Sequence, residues 1–247
     1  MNQEIEVILA LADISGYTKF LRHHAAATSH AAEIMGRLLS RMVNSISSPI
    51  RVAEIEGDAV FFYALVDNNN RESVASEVAM QLAILFREFE AERKALSCLA
   101  SCPCDACRGI KNLALKQVVH WGRASFQEVA NFRKLFGLDV VLVHRMLKNS
   151  VPEQRYLMLT EPAFQKLRDV DLDSMTPKKG SEKFEGVGGV ETRVYAGAHL
   201  DDYLGSFPTP SRSNHWDSWW TFGWKISMQI RTLLMGYRLR EKESKTE

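Results

Sequence analysis

Asp13 and Asp58 are the residues of this chain best placed by type and spacing to do chemistry. Asp13 closes an apolar run from Ile5 to Ile14, and Asp58 ends the tight turn Glu56-Gly57-Asp58 between two further apolar runs. Two carboxylates brought together suit Mg²⁺ or Mn²⁺. Mg²⁺ takes oxygen ligands and usually only one or two carboxylates, substrate phosphates completing its shell. Directly after Asp13, Ser15-Gly16-Tyr17-Thr18 opens a helical stretch whose first N–H groups would face an anion. Carboxylates beside a helix start are the minimum set for holding a nucleoside triphosphate. Each also has a plainer use: Asp13 as a helix cap, Asp58 as a turn residue.

A second constellation is Cys98, Cys102, Cys104 and Cys107, the only four cysteines, packed into ten residues. In a reducing compartment such a cluster reads as a metal site rather than two disulfides. Four thiolates suit tetrahedral Zn²⁺, and Cys104 to Cys107 has the usual two-residue gap. An iron–sulfur cluster or a redox-sensitive dithiol remains open as the alternative.

The elements that must position these residues follow from hydrophobic period. Ile5 to Ile14 is apolar without alternation, as in a strand buried on both faces. Helical spacing runs from Phe20 to about Asn44 and again from Ser73 to Leu96. Ile50 to Ile55 and Ala59 to Leu65 read as a hairpin. After the cysteines, Leu113 to Gln127 reads as a pair of strands around Trp121-Gly122. A helix from about Leu138 to Lys148, a strand at Tyr156 to Leu159 and a helix at Glu161 to Leu167 come next. Asp169 to Lys183 is polar and reads as a loop, and Glu191 to Ala198 as the last strand. The order β-α-β-β-α-β-α-β-α-β predicts an α+β domain with a ferredoxin-like βαββαβ core.

Composition narrows the partners. Lys and Arg number 31 and Asp and Glu 30, a net charge of +1. A broad cationic surface for nucleic acid is excluded, because no excess of cations exists to displace counterions. The amino terminus opens with acidic residues and lacks the pattern of a secretory signal. No window approaches the ~20 apolar residues of a membrane span. A cytoplasmic protein is the expectation.

Set in this order, the motifs resemble those of the class III adenylate and guanylate cyclases. Ala12-Asp13-Ile14-Ser15-Gly16-Tyr17-Thr18 is similar to their first metal-binding signature, and Glu54-Ile55-Glu56-Gly57-Asp58-Ala59 to the second. His120-Trp121-Gly122 resembles their His-x-Gly. Phe136-Gly137 through Arg145-Met146 resembles the helix that bears an asparagine and an arginine. Phe184-Glu185-Gly186-Val187-Gly188 and Val194-Tyr195 resemble the closing strands, so the likeness spans about Glu4 to Ala198. It implies metal binding by Asp13 and Asp58 with the Ile14 carbonyl, and phosphate binding by Gly16, Tyr17 and Thr18. It implies a catalytic Arg145 acting across a homodimer, and base selection by Glu54 and Lys134. The implied reaction makes a 3′,5′-cyclic nucleotide and pyrophosphate.

The departures fall on recognition. The position of the ribose-orienting asparagine is Val141, which neither donates nor accepts a hydrogen bond. Glu54 stands where adenylate cyclases carry lysine and guanylate cyclases glutamate, but its companion is Lys134 rather than aspartate or cysteine. Glu185 replaces a phosphate-binding lysine, with Lys183 two residues away. The chain therefore reads as a cyclase of unusual base preference, a nucleotide-binding or protein-interaction module without turnover, or a scaffold with relict carboxylates. His120, inside an apolar strand, reads as a core residue.

Domain organisation is read as one domain over residues 1–200, with the cysteine insert at 97–110, a linker at 201–215 and an amphipathic helix at 216–241. Trp219, Phe222, Ile226, Ile230, Leu233 and Tyr237 line one face of that helix, flanked by Lys225, Arg231, Arg238 and Arg240. Such a helix fits an anionic membrane surface or packing on its own domain or a dimer partner.

Overall fold

The computed structural model describes residues 4–22, 28–99, 105–167 and 176–208. Cys102, Cys104, the linker from residue 209 and the tail helix read at 216–241 lie outside the described residues. In chain order the elements are β1 (Ile5–Ser15), α1 (Tyr17–Arg22), α2 (Thr28–Ser45), β2 (Ile50–Glu56) and β3 (Ala59–Val66). Then come α3 (Arg71–Leu99), α4 (Asp105–Gly109), a 3₁₀ turn at Ile110–Asn112, β4 (Ala114–Val129), β5 (Phe132–Phe136) and α5 (Leu138–Met146). The chain continues through β6 (Tyr156–Thr160), α6 (Glu161–Lys166), β7 (Lys178–Phe184), β8 (Gly188–Ala196) and α7 (Gly197–Gly205).

The strands form one sheet in the order β2-β3-β1-β4-β6-β8-β7, with β5 hairpinned onto β4. β1 sits centrally and antiparallel to both β3 and β4, which is why its run is apolar on both faces. Ile8, Ala10, Ala12 and Ile14 face a large core under α2 and α3, with Phe62, Leu82, Phe86 and Phe89. Val7, Leu9 and Leu11 face a smaller core with Phe61, Leu142, Val143 and Met146. One face of the sheet is thus thickly covered. The other carries α5, nine residues long, and is open beside it.

The β1 strand is tied at its start by Glu6. Its carboxylate accepts from Trp121 Nε1 at 2.6 Å, Arg71 at 2.6 and 2.9 Å and Lys166 at 3.0 Å. Against the burial that would raise it, these donors hold Glu6 at about 2.

Three expectations are corrected. Leu113 to Gln127 is not a strand pair: β4 runs unbroken through Trp121-Gly122, and the reversal comes at 130–131, where Ala130 adopts φ 54°. The segment read as a loop contains β7, a charged edge strand. Residues 201–205, read as the start of a linker, finish α7, whose Tyr203 and Leu204 join the core with Phe207. The Arg87 guanidinium donates to the carbonyls of Leu204, Phe207 and Pro208. No described helix is long and apolar enough to cross a membrane.

Candidate functional site

Asp13 and Asp58 meet because the β2–β3 hairpin ends beside the end of β1. Asp13 pairs in register with Ala59, and the Ile14 N–H donates to the Asp58 carbonyl at 3.2 Å. The Asp58 carboxyl is pushed above the usual range, first by burial and then by the like charge of Asp13. Its own backbone hydrogen bond and Lys116 offset part of that rise.

Lys116, unmarked in the sequence reading, is directly opposite Asp13 on β4, with Nζ 2.9 Å from Asp13 Oδ2. The signal was a lysine between Leu115 and Val118, legible only once the β1–β4 register is known. The Tyr156 hydroxyl belongs to the same neighbourhood. It accepts from Asn149 Nδ2 at 2.6 Å, and burial above all raises its titration.

These groups fit a divalent cation with phosphates. Burial and the like charge of Asp13 raise the Asp58 carboxyl, which a cation would relieve, and no third carboxylate, histidine or cysteine joins the two among the described residues. Mg²⁺ at such a site draws its remaining ligands from water and substrate.

Gly16 makes the turn into α1. Its φ of 91° is left-handed, and a Cβ there would come within 3.1 Å of the Asn112 carbonyl, so glycine is required twice over. Tyr17 packs against the main core, and Thr18 is exposed at the start of the helix.

On the α5 side the structure joins Glu54 to Lys134, whose Nζ is 3.0 and 2.9 Å from the two carboxylate oxygens. This pair lines an open cleft of about 670 Å³ with Glu56, Phe61, Phe126 and His144. His144 Nε2 lies 2.9 Å from Glu56 Oε1, and its ring packs edge-on against Phe61. Val141 is exposed. Arg145 is half-buried and makes no ion pair among the described residues, to Asp13, Asp58 or any other carboxylate. Its Nη1 lies 3.9 Å from the place a Cβ on Gly186 would occupy, below the β7–β8 turn.

His120 is buried as expected of a core residue, with Nδ1 2.9 Å from Thr160 Oγ1. Of the cysteines, Cys98 is exposed near the end of α3, whereas Cys107 is buried on α4 in the main core.

A family model described as "Protein of unknown function (DUF2652)" matches residues 35–156. The chain is 33% identical over 181 residues to "Uncharacterized protein Rv2561/Rv2562" of Mycobacterium tuberculosis (strain ATCC 25618 / H37Rv), covering 73% of this chain and 79% of that protein. The chain belongs to the family of that mycobacterial protein. This member of the Rv2561/Rv2562 family also superposes on solved cyclase domains. It is similar to the guanylyl cyclase Cya2, at TM-score 0.62 and 11% identity over 79% of this chain and 94% of that one. It is similar to the adenylyl cyclase CyaB from P. aeruginosa, at TM-score 0.60 and 12% identity over 80% and 97% of the respective chains. The fold is the class III cyclase fold, an α+β sheet with helices. At these identities the likeness speaks for the fold.

Proposed function

We propose that this protein is a class III-type nucleotidyl cyclase, converting a nucleoside triphosphate to a 3′,5′-cyclic nucleotide and pyrophosphate. The observation that carries the reading is the pair Asp13 and Asp58, held on the open face of a cyclase-fold sheet with the Asp58 carboxyl raised beside its neighbour. Mg²⁺ or Mn²⁺ would be held by the two carboxylates and the Ile14 carbonyl. Bound there, two ions would lower the pKa of the attacking ribose 3′-hydroxyl and neutralise phosphate charge.

The chain's own residues supply the rest. Gly16, Tyr17 and Thr18 would present the N–H groups at the start of α1 to the β- and γ-phosphates. Lys116 would turn from Asp13 toward the triphosphate once the carboxylates are otherwise neutralised. Arg145, with no ion pair to break among the described residues, would stabilise charge on the leaving pyrophosphate. Glu54 and Lys134 would open onto the base.

A homodimer is part of this reading, each site taking carboxylates from one subunit and Arg145 of the partner subunit. Its support is a run of exposed apolar side chains from the β4–β5 hairpin into α5: Phe132, Phe136, Leu138 and Val141 are between 44% and 67% exposed. Zinc at Cys98, Cys102, Cys104 and Cys107 is a separate proposal, read directly by the metal content of the purified protein.

The second reading, a nucleotide-binding module without turnover, is favoured by Val141, an apolar group where a ribose contact is needed. One experiment separates them. The purified protein is incubated with each of four nucleoside triphosphates and Mg²⁺ or Mn²⁺, and cyclic product and pyrophosphate are measured by mass spectrometry. Product that vanishes in Asp58→Ala supports the cyclase. Triphosphate binding without product from the wild type overturns it and leaves the binding module.

A further inference from the structure

We propose that His120, Asp139 and Thr160 form a positioning relay that fixes α5, and with it Arg145, and that Gly122 provides the room it needs. The link to Arg145 rests on the cyclase reading; the relay itself does not.

The argument starts from how little else holds the start of α5. The helix is nine residues long, begins after Gly137 and has no side-chain cap. Helices this short are marginal without tertiary support. Leu142, Val143 and Met146 bury its second half, but its first turn needs another anchor.

Asp139 is that anchor. β4 pairs with β6 over Lys116 to Val119 and with β5 from Ser125, which leaves His120 to Ala124 with no strand neighbour on that edge. Asp139 fills the gap: its Oδ2 accepts the Arg123 backbone N–H at 2.6 Å, and its Oδ1 lies 3.3 Å from His120 Nε2. That nitrogen is buried and completes no hydrogen bond among the described residues, so its contact with Asp139 is the charge contact of an imidazole beside a carboxylate. The other ring nitrogen, Nδ1, is 2.9 Å from the hydroxyl of fully buried Thr160 at the end of β6.

The donor and acceptor inventory then selects one tautomer. An ionised carboxylate only accepts, so Nε2 carries a proton, and in the neutral imidazole Nδ1 then accepts from the Thr160 hydroxyl. The His120 imidazole beside it, with the Arg123 N–H adding to it against burial, holds the Asp139 carboxyl below the usual range. Gly122 is the second observation. A Cβ there would collide with the Asp139 carboxylate and come within 2.6 Å of His120 Nε2. Glycine is required here by the relay, since φ at Gly122 is not left-handed. Three elements, β6, β4 and α5, are thus joined through one buried imidazole.

Asp139→Ala and Gly122→Ala test the relay in the full chain, the second leaving both partners present while evicting the carboxylate. Hydrogen exchange of the α5 amides is expected to speed up about tenfold in both variants, with β1 amides unchanged, as for a local opening. The ¹⁵N spectrum of histidine-labelled protein should place the His120 proton on Nε2 in the wild type and lose that signature in Asp139→Asn. Unaltered α5 exchange in both alanine variants, or a wild-type His120 protonated on Nδ1 alone, overturns the relay.

If the wild type turns over, Asp139→Ala should lower kcat at least ~10-fold with KM within about threefold, because displacing a catalytic group by an ångström costs up to ~10²-fold. His120→Ala should lower kcat similarly, and His120→Gln, which keeps an N–H toward Asp139, should lose less. An unchanged kcat overturns the link to Arg145. A wild type without turnover sinks the cyclase reading, and hydrogen exchange then decides the relay alone.

Discussion

The carboxylate end of β1 and the α5 side of the same open face are built on opposite electrostatic plans. At β1, Asp13 and Asp58 are partly buried, close and only partly compensated by Lys116. On the α5 side, Glu54 and Lys134 are exposed and satisfied by each other, and Glu56 is satisfied by His144. The first region keeps a charge conflict that an incoming cation would relieve. The second stores its charges in pairs that a ligand must open. On the proposed reading, the metal-binding end keeps an unrelieved charge, while the recognition side holds its charges in exposed pairs.

Breaking the first region should have the largest effect. Asp58→Ala is expected to abolish cyclic product, a loss of at least ~10³-fold set by removal of a metal ligand, while Arg145→Ala costs ~10²–10³-fold as an electrostatic stabiliser does. Both are read as product per time at saturating nucleotide. Equal activity in Asp58→Ala and wild type would show that the buried pair is not the reacting centre.

The dimer comes next. Phe132, 67% exposed on the β4–β5 hairpin, is expected to lie between subunits. Phe132→Asp should convert dimer to monomer in sedimentation and lower activity in proportion, without loss of the fold. A wild type that sediments as a monomer at micromolar concentration would break the proposal that each site spans two chains.

The fold was largely legible, and the reasons for the exceptions are local. β1, the β2–β3 hairpin, α3 and α5 announce themselves through unbroken or helical hydrophobic runs. That places Asp13 beside Asp58 before any coordinate is known. Trp121-Gly122 imitates a turn because glycine usually marks one, whereas here it clears space for Asp139. The true turn holds Ala130, whose left-handed backbone no sequence signal announces. β7 is charged along its length and lacks the alternation by which strands are recognised. Lys116 and the His120–Asp139 contact depend on register and on packing between distant segments, which periodicity cannot supply.

A smaller effect tests the charge conflict without activity. A carboxyl with a folded-state pKa above its unfolded one favours the protonated folded chain, so stability falls as pH rises through that folded-state titration. Asp58→Asn removes this penalty. The metal-free variant should melt above the wild type at pH 7. The difference should vanish as pH falls toward ~4, where the aspartate of the unfolded chain also protonates. Mg²⁺ should raise the wild-type midpoint and leave the variant's unchanged. A variant less stable than the wild type at pH 7 without metal would show that Asp58 is held by favourable contacts.

The smallest expected change in stability is at Lys134. The Glu54–Lys134 pair is 44–45% exposed on both sides, and exposed pairs contribute at most ~1 kcal/mol. Lys134→Ala should therefore shift the melting midpoint by no more than about 1–2 °C at this chain length. Its effect on nucleotide choice should be larger, because freeing Glu54 changes a donor–acceptor pair into an acceptor alone at the mouth of the cleft. Competition binding of the four triphosphates to wild type and Lys134→Ala reads this directly. A reordered preference with unchanged stability would locate base selection in the exposed pair. An unchanged preference would place it deeper in the cleft, among Phe61, Phe126 and His144, and would erase the contrast between a fixed reacting end and a rewritten recognition side.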